Sequence, residues 1–441
     1  MLKQADQQAY RLDGNPRQGL AGATTGFFIG FAAVALFGPT AQRMKDGLEL
    51  SPLMLAFLVA IPSLSGSLLR IPFSAWVDTT GGRKPFLVLL GLSILGMAGL
   101  TGLIVWAYPD RLSPGLFPVL LLLGALSGCG IATFSVGASQ VAYWHPQRSQ
   151  GSALGVYAGL GNLAPGIFTF LLPFALNALG LDGSYLVWLL LLVLGTVLYY
   201  LLGRNSPYFQ LREQGASADQ AAELARRAGQ ENFPAGSLAA SLSRSARIWK
   251  TWALVGIYFT TFGGFVALTA WLPTYWSAYL GAGVVLSGAL TGAFSIGASV
   301  LRVVGGRLAD RLGGENTALL ALLFILAGAL VMSLSRSLGL SLAAELLLAA
   351  GMGIGNGAVF KLVPQAAPEA VGGVSGWVGG LGAFGGFVIP PVLGAAARGG
   401  QAGYAEGFGL FALLALVSLL FTYLLKRAML RNKLRLENRP V

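Results

Sequence analysis

What most constrains this chain is the recurrence of long apolar windows. Twelve stretches are each long enough to cross a bilayer: residues 18–39, 53–77, 86–107, 115–143, 151–178, 183–203, 250–279, 285–309, 317–335, 339–366, 371–397 and 403–426. In hydrocarbon a backbone must satisfy its own hydrogen bonds, so runs of this length predict helices. Composition agrees, with 55% hydrophobic residues, only 10% charged and a mean hydropathy of +0.69. The expected class is an all-α membrane protein with twelve transmembrane helices. The 63 glycines suit close helix packing in lipid.

The longest polar gap, 204–249, splits six windows from six. It predicts an N-terminal half at 1–203, a central loop holding a short surface helix near Ala218–Ala228, and a C-terminal half at 250–441. Placing both termini and the loop on one side puts 21 of the 29 Lys and Arg there, from Lys3 to Arg439, and 5 on the other; Arg70, Arg302 and Lys361 fall within spans. The rich side is expected to be cytoplasmic, in an inner (plasma) membrane. The net charge of +12 is then a matter of topology and does not imply a nucleic-acid partner. One cysteine, Cys129, excludes an intrachain disulfide, and one histidine, His145, excludes a histidine metal cluster. No metal, cofactor or catalytic residue is expected, and no nucleophile–base pair supports a membrane-embedded enzyme.

The two halves echo each other. Arg70 and Asp78 stand eight apart, as do Arg302 and Asp310, and each aspartate precedes a Gly-rich turn. Gly128-Cys-Gly-Ile131 returns as Gly351-Met-Gly-Ile354, and Gly159-Leu-Gly161 as Gly380-Leu-Gly382. Two six-span halves in parallel register are the plan of the major facilitator fold, whose site lies between the halves near the bilayer midplane. The loop motif residues are Asp78, Arg83, Asp310 and Arg311. Glycines 155, 159, 161 and 166 in span 5, with 376, 380, 382 and 385 in span 11, are candidates for helix packing and gating.

Eight residues are about 12 Å of helix, so Arg70 and Arg302 sit inside the hydrocarbon on the basic side of its middle. An arginine there costs about 2.5–3.5 kcal/mol and requires a partner. Only Glu345 among the seventeen acids falls inside a span, near the far end of span 10. The guanidiniums therefore lack a protein carboxylate, and a bound oxyanion is the expected partner, matched by the planar fork of N–H donors. Asn162, Tyr258, Phe262, Phe134, Asn356 and Phe360 can reach the same cavity. Lys361 is placed near the inner mouth, either snorkelling to water or acting as a third positive charge.

The two glycine runs carry a resemblance. Gly155-Val-Tyr-Ala-Gly-Leu-Gly-Asn162-Leu-Ala-Pro-Gly166 resembles the first nitrate signature of the nitrate/nitrite porter family. Gly376-Trp-Val-Gly-Gly-Leu-Gly-Ala-Phe-Gly-Gly-Phe-Val-Ile-Pro390 resembles the second, and Gly355 to Pro364 is similar to that family's span 10. Pro165 departs from the first signature, where a small residue is usual. The resemblance covers all twelve spans. It implies that Arg70 and Arg302 grip nitrate or nitrite from opposite halves. It also implies that Tyr258 hydrogen-bonds the anion, that Phe134 and Phe262 sandwich it, and that Asn162 lies beside it. Coupling stays open between nitrate/nitrite antiport and proton symport. A carrier of another small organic anion and a proton-driven exporter are more distant alternatives. The molecule is expected to be a monomer in the lipid bilayer.

Overall fold

The computed structural model describes residues 10–234, 238–366 and 371–437; Lys3 and Arg439 of the basic count lie outside them. Among the described residues, eleven helices are long and apolar enough to cross a membrane. One of these, Gln147–Leu202, is two spans divided at Gly180, whose backbone is non-helical at φ 71° and ψ −175°. Twelve spans result, as the apolar windows predict.

Local chemistry sets several span ends. Asn15 caps the first span, Pro16–Ala35, through its side chain on the Gln18 amide. Ser51 caps the second, Pro52–Thr80, in the same way on Met54, and Pro16 and Pro52 each occupy a first turn that needs no amide donor. Gly81 (φ 74°) ends span 2 and Gly313 (φ 86°) ends span 8, Val284–Leu312. These left-handed positions explain why a glycine turn follows both Asp78 and Asp310.

Four spans change helical geometry, span 1 in its last turn and the others within their length. Span 1 tightens at Ala32–Ala35, and span 4, Pro114–Trp144, tightens at Cys129–Ala132. Span 7, Trp249–Ala278, widens to a π-helix at Phe259–Gly263, and span 11, Gly373–Ala397, does so at Val378–Gly382. Such irregularities release backbone groups and re-aim side chains.

Two helix pairs join the halves: span 5 with span 8, and span 2 with span 11. Away from the basic face both interlock. A Cβ added to Gly288 would lie 2.5 Å from Pro173, and one at Gly394 would lie 2.4 Å from Ala56. Toward the basic face spans 5 and 8 part. A Cβ at Gly159 would be 3.8 Å from Val303, and one at Gly155 would meet nothing within 4 Å. Spans 2 and 11 stay in contact there, where a Cβ at Gly380 would lie 2.7 Å from Ile71, so it is the span 5–8 seam that is looser toward the basic face.

The central segment forms helices Pro207–Glu213, Ala218–Arg227 and Leu238–Ala246. The first two bury Leu211, Ala221 and Ala225 against Tyr10, Tyr208 and Phe233. They are tied to the N-terminal half by Gln214 on the Arg11 carbonyl, by the Arg204–Asp13 ion pair, and by Asn205 on the Thr80 carbonyl. The third touches span 11, where the Trp377 indole donates to the Leu242 carbonyl at 3.1 Å.

Candidate functional site

The helix irregularities surround one cluster. Arg70 is 1% exposed, at the bend where span 2 restarts as helix Arg70–Thr80. Its Nε donates to the Gly66 carbonyl at 3.1 Å and its Nη1 to the Gly379 carbonyl at 3.0 Å, within the π-helix of span 11. Its guanidinium carbon lies 5.0 Å from the ring centre of Phe134 and 5.2 Å from that of Phe262. Arg302 faces the same two rings at 5.9 and 5.7 Å, and Phe360 at 5.8 Å. Two cations from opposite halves therefore share one pair of aromatic faces, an arrangement the ring quadrupoles favour. Phe134 and Phe262 stand 6.3 Å apart at 27°.

The hydrogen-bond inventory is incomplete at this cluster. Arg302 Nη1, Asn162 Oδ1 and Asn356 Oδ1 are buried without a partner, and the buried Tyr258 hydroxyl lies beside the Arg302 guanidinium without a hydrogen bond of normal geometry. Each orphan costs about 1–3 kcal/mol, more when charged, unless something bound there satisfies it. Ion pairs among the described residues include Arg204–Asp13, Arg227–Glu223 and Lys361–Asp310, and none of these three involves Arg70 or Arg302. Carbonyl oxygens orient the Arg70 fork but do not cancel its charge.

Tyr258 stacks on Phe262 with centroids 4.9 Å apart at 5°, and meets Phe360 edge-on at 5.2 Å. Asn162 is buried, and its carbonyl accepts the Ser299 hydroxyl of span 8 at 2.8 Å, one turn from Arg302. Asn356 is buried beside Gly357, where a Cβ would be 2.6 Å from the Arg302 carbonyl.

Other named residues lie elsewhere. The Lys361 ammonium is bound to Asp310 in an ion pair exposed to solvent, so it reaches water as a snorkelling lysine does and its charge is matched there by an acid. Asp78 accepts the Tyr143 hydroxyl at 2.6 Å. Arg83 donates to the Tyr200 carbonyl at 2.9 Å and lies over that ring, while Arg311 is exposed. Among the glycines, Gly161 admits Phe27, Gly166 admits Ile296, Gly380 admits Ile71, Gly382 admits Tyr258 and Gly385 admits the Phe259 carbonyl, while Gly376 lies against Leu242. Gly155 and Gly159 make no such close contact.

Comparison with known proteins decides the family. The Major Facilitator Superfamily model matches residues 23–390. The chain is 30% identical over 436 residues to a probable nitrate/nitrite antiporter, NarK1, of Thermus thermophilus, covering 91% of this chain and 90% of that one. This chain belongs to the nitrate/nitrite porter family of the major facilitator superfamily. It is also 29% identical to the nitrite extrusion protein of Bacillus subtilis (strain 168), covering 88% and 89% of the two chains. Among solved structures, a D-xylose-proton symporter matches with a TM-score of 0.73 at 13% identity, covering 93% of this chain and 98% of that one. A partially occluded inward-open form of the xylose transporter XylE from E. coli matches with a TM-score of 0.71 at 15% identity, covering 93% and 99%. These structures share the fold alone.

Sequence reasoning on this porter missed the backbone. The carbonyls of Gly66 and Gly379 hold Arg70, and only the glycine density of span 11 hinted at an irregular helix there. It also gave no role to Phe27 and Phe31. Phe31 stacks on Phe262 at 6.2 Å and 7°, and Phe27 lies 5.2 Å from Phe134. Their i, i+4 spacing in span 1 was a usable signal.

Proposed function

We propose that this porter exchanges nitrate for nitrite by alternating access, nitrate entering and nitrite leaving, as a monomer in the inner membrane with both termini cytoplasmic. The observation that carries the reading is a buried, unpartnered Arg302 Nη1 in a two-arginine, two-ring cluster where no ion pair to Arg70 or Arg302 is found among the described residues. A small planar oxyanion supplies the acceptor that Arg302 Nη1 lacks, whereas the Asn162 and Asn356 oxygens are themselves acceptors and are not satisfied by it. It accepts from both guanidiniums and from the Tyr258 hydroxyl, and its faces lie against Phe134 and Phe262. Two contact distances of about 3.5 Å make a gap of about 7 Å, so rings now 6.3 Å apart part slightly to admit it.

The charge argument also bears on coupling. With two fixed cations and no acid to offset them, the empty site resists closure, and the anion relieves that repulsion. An obligatory exchanger follows, because the halves swing only when loaded. The orientation rests on the basic face of the molecule. Proton symport is the second reading, favoured by one observation: Glu345, fully buried in span 10, accepts from the Trp276 indole at 3.2 Å and has a second oxygen without a partner.

Counterflow in proteoliposomes separates the two. Exchange predicts nitrate uptake only when nitrite or nitrate is loaded inside, with little response to a pH gradient. Robust uptake into empty vesicles driven by an inward proton gradient overturns exchange and moves the coupling to Glu345 or a proton carried with the anion.

A further inference from the structure

Tyr157 sits in the first glycine run, yet no role in the anion site follows from the family resemblance or from charge. It is fully buried, and its hydroxyl donates to the Phe134 carbonyl at 2.9 Å and the Thr133 carbonyl at 3.0 Å. Those are the first two carbonyls of helix Thr133–Trp144, which restarts directly after the tightened turn Cys129–Ala132. The register of that restart decides where the Phe134 ring points, since one residue of slip turns a side chain by about 100° around the helix axis.

The seat for the hydroxyl is made by Gly137, three residues beyond Phe134 on the same helix. A Cβ there would lie 2.3 Å from the Tyr157 oxygen. The ring is held as well. Tyr157 lies 5.1 Å from Phe27 and 6.1 Å from Phe134, and Phe27 fills the notch left by Gly161, one turn along span 5, where a Cβ would be 1.9 Å away. Three spans thus converge on one aromatic ring of the cluster.

We infer that Tyr157 is a positioning residue that holds Phe134 in register over the anion, by binding the backbone that carries it. The inference rests on the anion-site reading above. Tyr157 also interacts electrostatically with Arg70, so the part of its effect that passes through Phe134 is what vanishes when that ring is changed.

A double-mutant cycle tests this in the full-length purified protein, with nitrate affinity read from the concentration dependence of thermal stabilisation. Tyr157→Phe is expected to weaken nitrate binding by about three- to tenfold, the range of one lost hydrogen bond. In a Phe134→Leu background the same change is expected to cost little more. Gly137→Ala keeps the hydroxyl but denies its seat, and is expected to weaken binding like Tyr157→Phe. Equal losses in both backgrounds overturn the inference. So does a lowered anion-free melting temperature with unchanged nitrate affinity, which marks a merely structural tyrosine. If the native protein binds neither nitrate nor nitrite, the anion-site reading itself falls. If the native protein binds and Tyr157→Phe binds equally well, only the positioning role falls.

Discussion

Arg70 and Arg302 occupy matching places in the two halves, yet their charges are met differently. Arg70 is bonded to two backbone carbonyls, whereas Arg302 keeps a buried nitrogen with no acceptor. A lysine has neither the fork nor the reach to serve two carbonyls and an anion together. Arg70→Lys is therefore expected to reduce nitrate uptake at least about tenfold while the protein still reaches the membrane, as checked by transport assay and surface yield. Tyr258 separates binding from stability. Its buried hydroxyl lies beside the Arg302 guanidinium without a hydrogen bond of normal geometry, so Tyr258→Phe removes at most that weak contact. The expected outcome is a nearly unchanged melting temperature without anion. Nitrate affinity falls about tenfold or more, the cost of a hydrogen bond to a charged group. A large loss of anion-free stability contradicts the assignment.

At the scale of elements, glycine stands where helices touch. Gly161 is packed against Phe27, and Gly155 faces open space in the same span. A methyl at Gly161 forces Phe27 out of its contacts with Phe134 and Tyr157, which over-packing places at about 1–3 kcal/mol. Gly155→Ala meets nothing and gains up to about 1 kcal/mol of helix propensity. Thermal denaturation of the pair in detergent is expected to show a fall for Gly161→Ala and none for Gly155→Ala. The π-helices matter in the same way. Widening at Val378–Gly382 brings the Gly379 carbonyl to Arg70, a contact between halves that no side chain supplies.

For the whole molecule, the asymmetry of the span 5–8 seam between the two faces is the main finding. Spans 5 and 8 interlock away from the basic face, where Gly288 admits Pro173, and separate toward it near Gly155. In the proposed exchange cycle, rocking of the halves reverses this and brings span 8 onto the glycines that are free here. A bulky side chain at Gly155 is thus harmless in this state and obstructive in the other. Gly155→Leu is expected to retain folding and nitrate binding while lowering exchange turnover at least about tenfold, measured by counterflow beside a binding assay. Normal turnover removes Gly155 from the moving interface.

Much of this was legible in the chain because membrane helices announce themselves. Apolar length, the basic bias and the repeat at Arg70/Arg302 are properties of order along the sequence, and lipid leaves the backbone few options once a run is long enough. The scarcity of acids within spans was equally plain, and with it the expectation that the two arginines lack a carboxylate partner. The signature runs pointed to the family, and the aromatic pair came with them. Lys361 was not legible. Whether a basic residue near a helix end meets water, substrate or an acid depends on which turn of a neighbouring helix faces it, and here that turn carries Asp310. Nor did the sequence disclose that Arg70 leans on backbone oxygens, that span 1 supplies two rings to the cluster, or which end of the span 5–8 seam is closed. Those outcomes depend on distances between segments far apart in the chain. Helix irregularities of a residue or less set such distances, and only the packed structure resolves them.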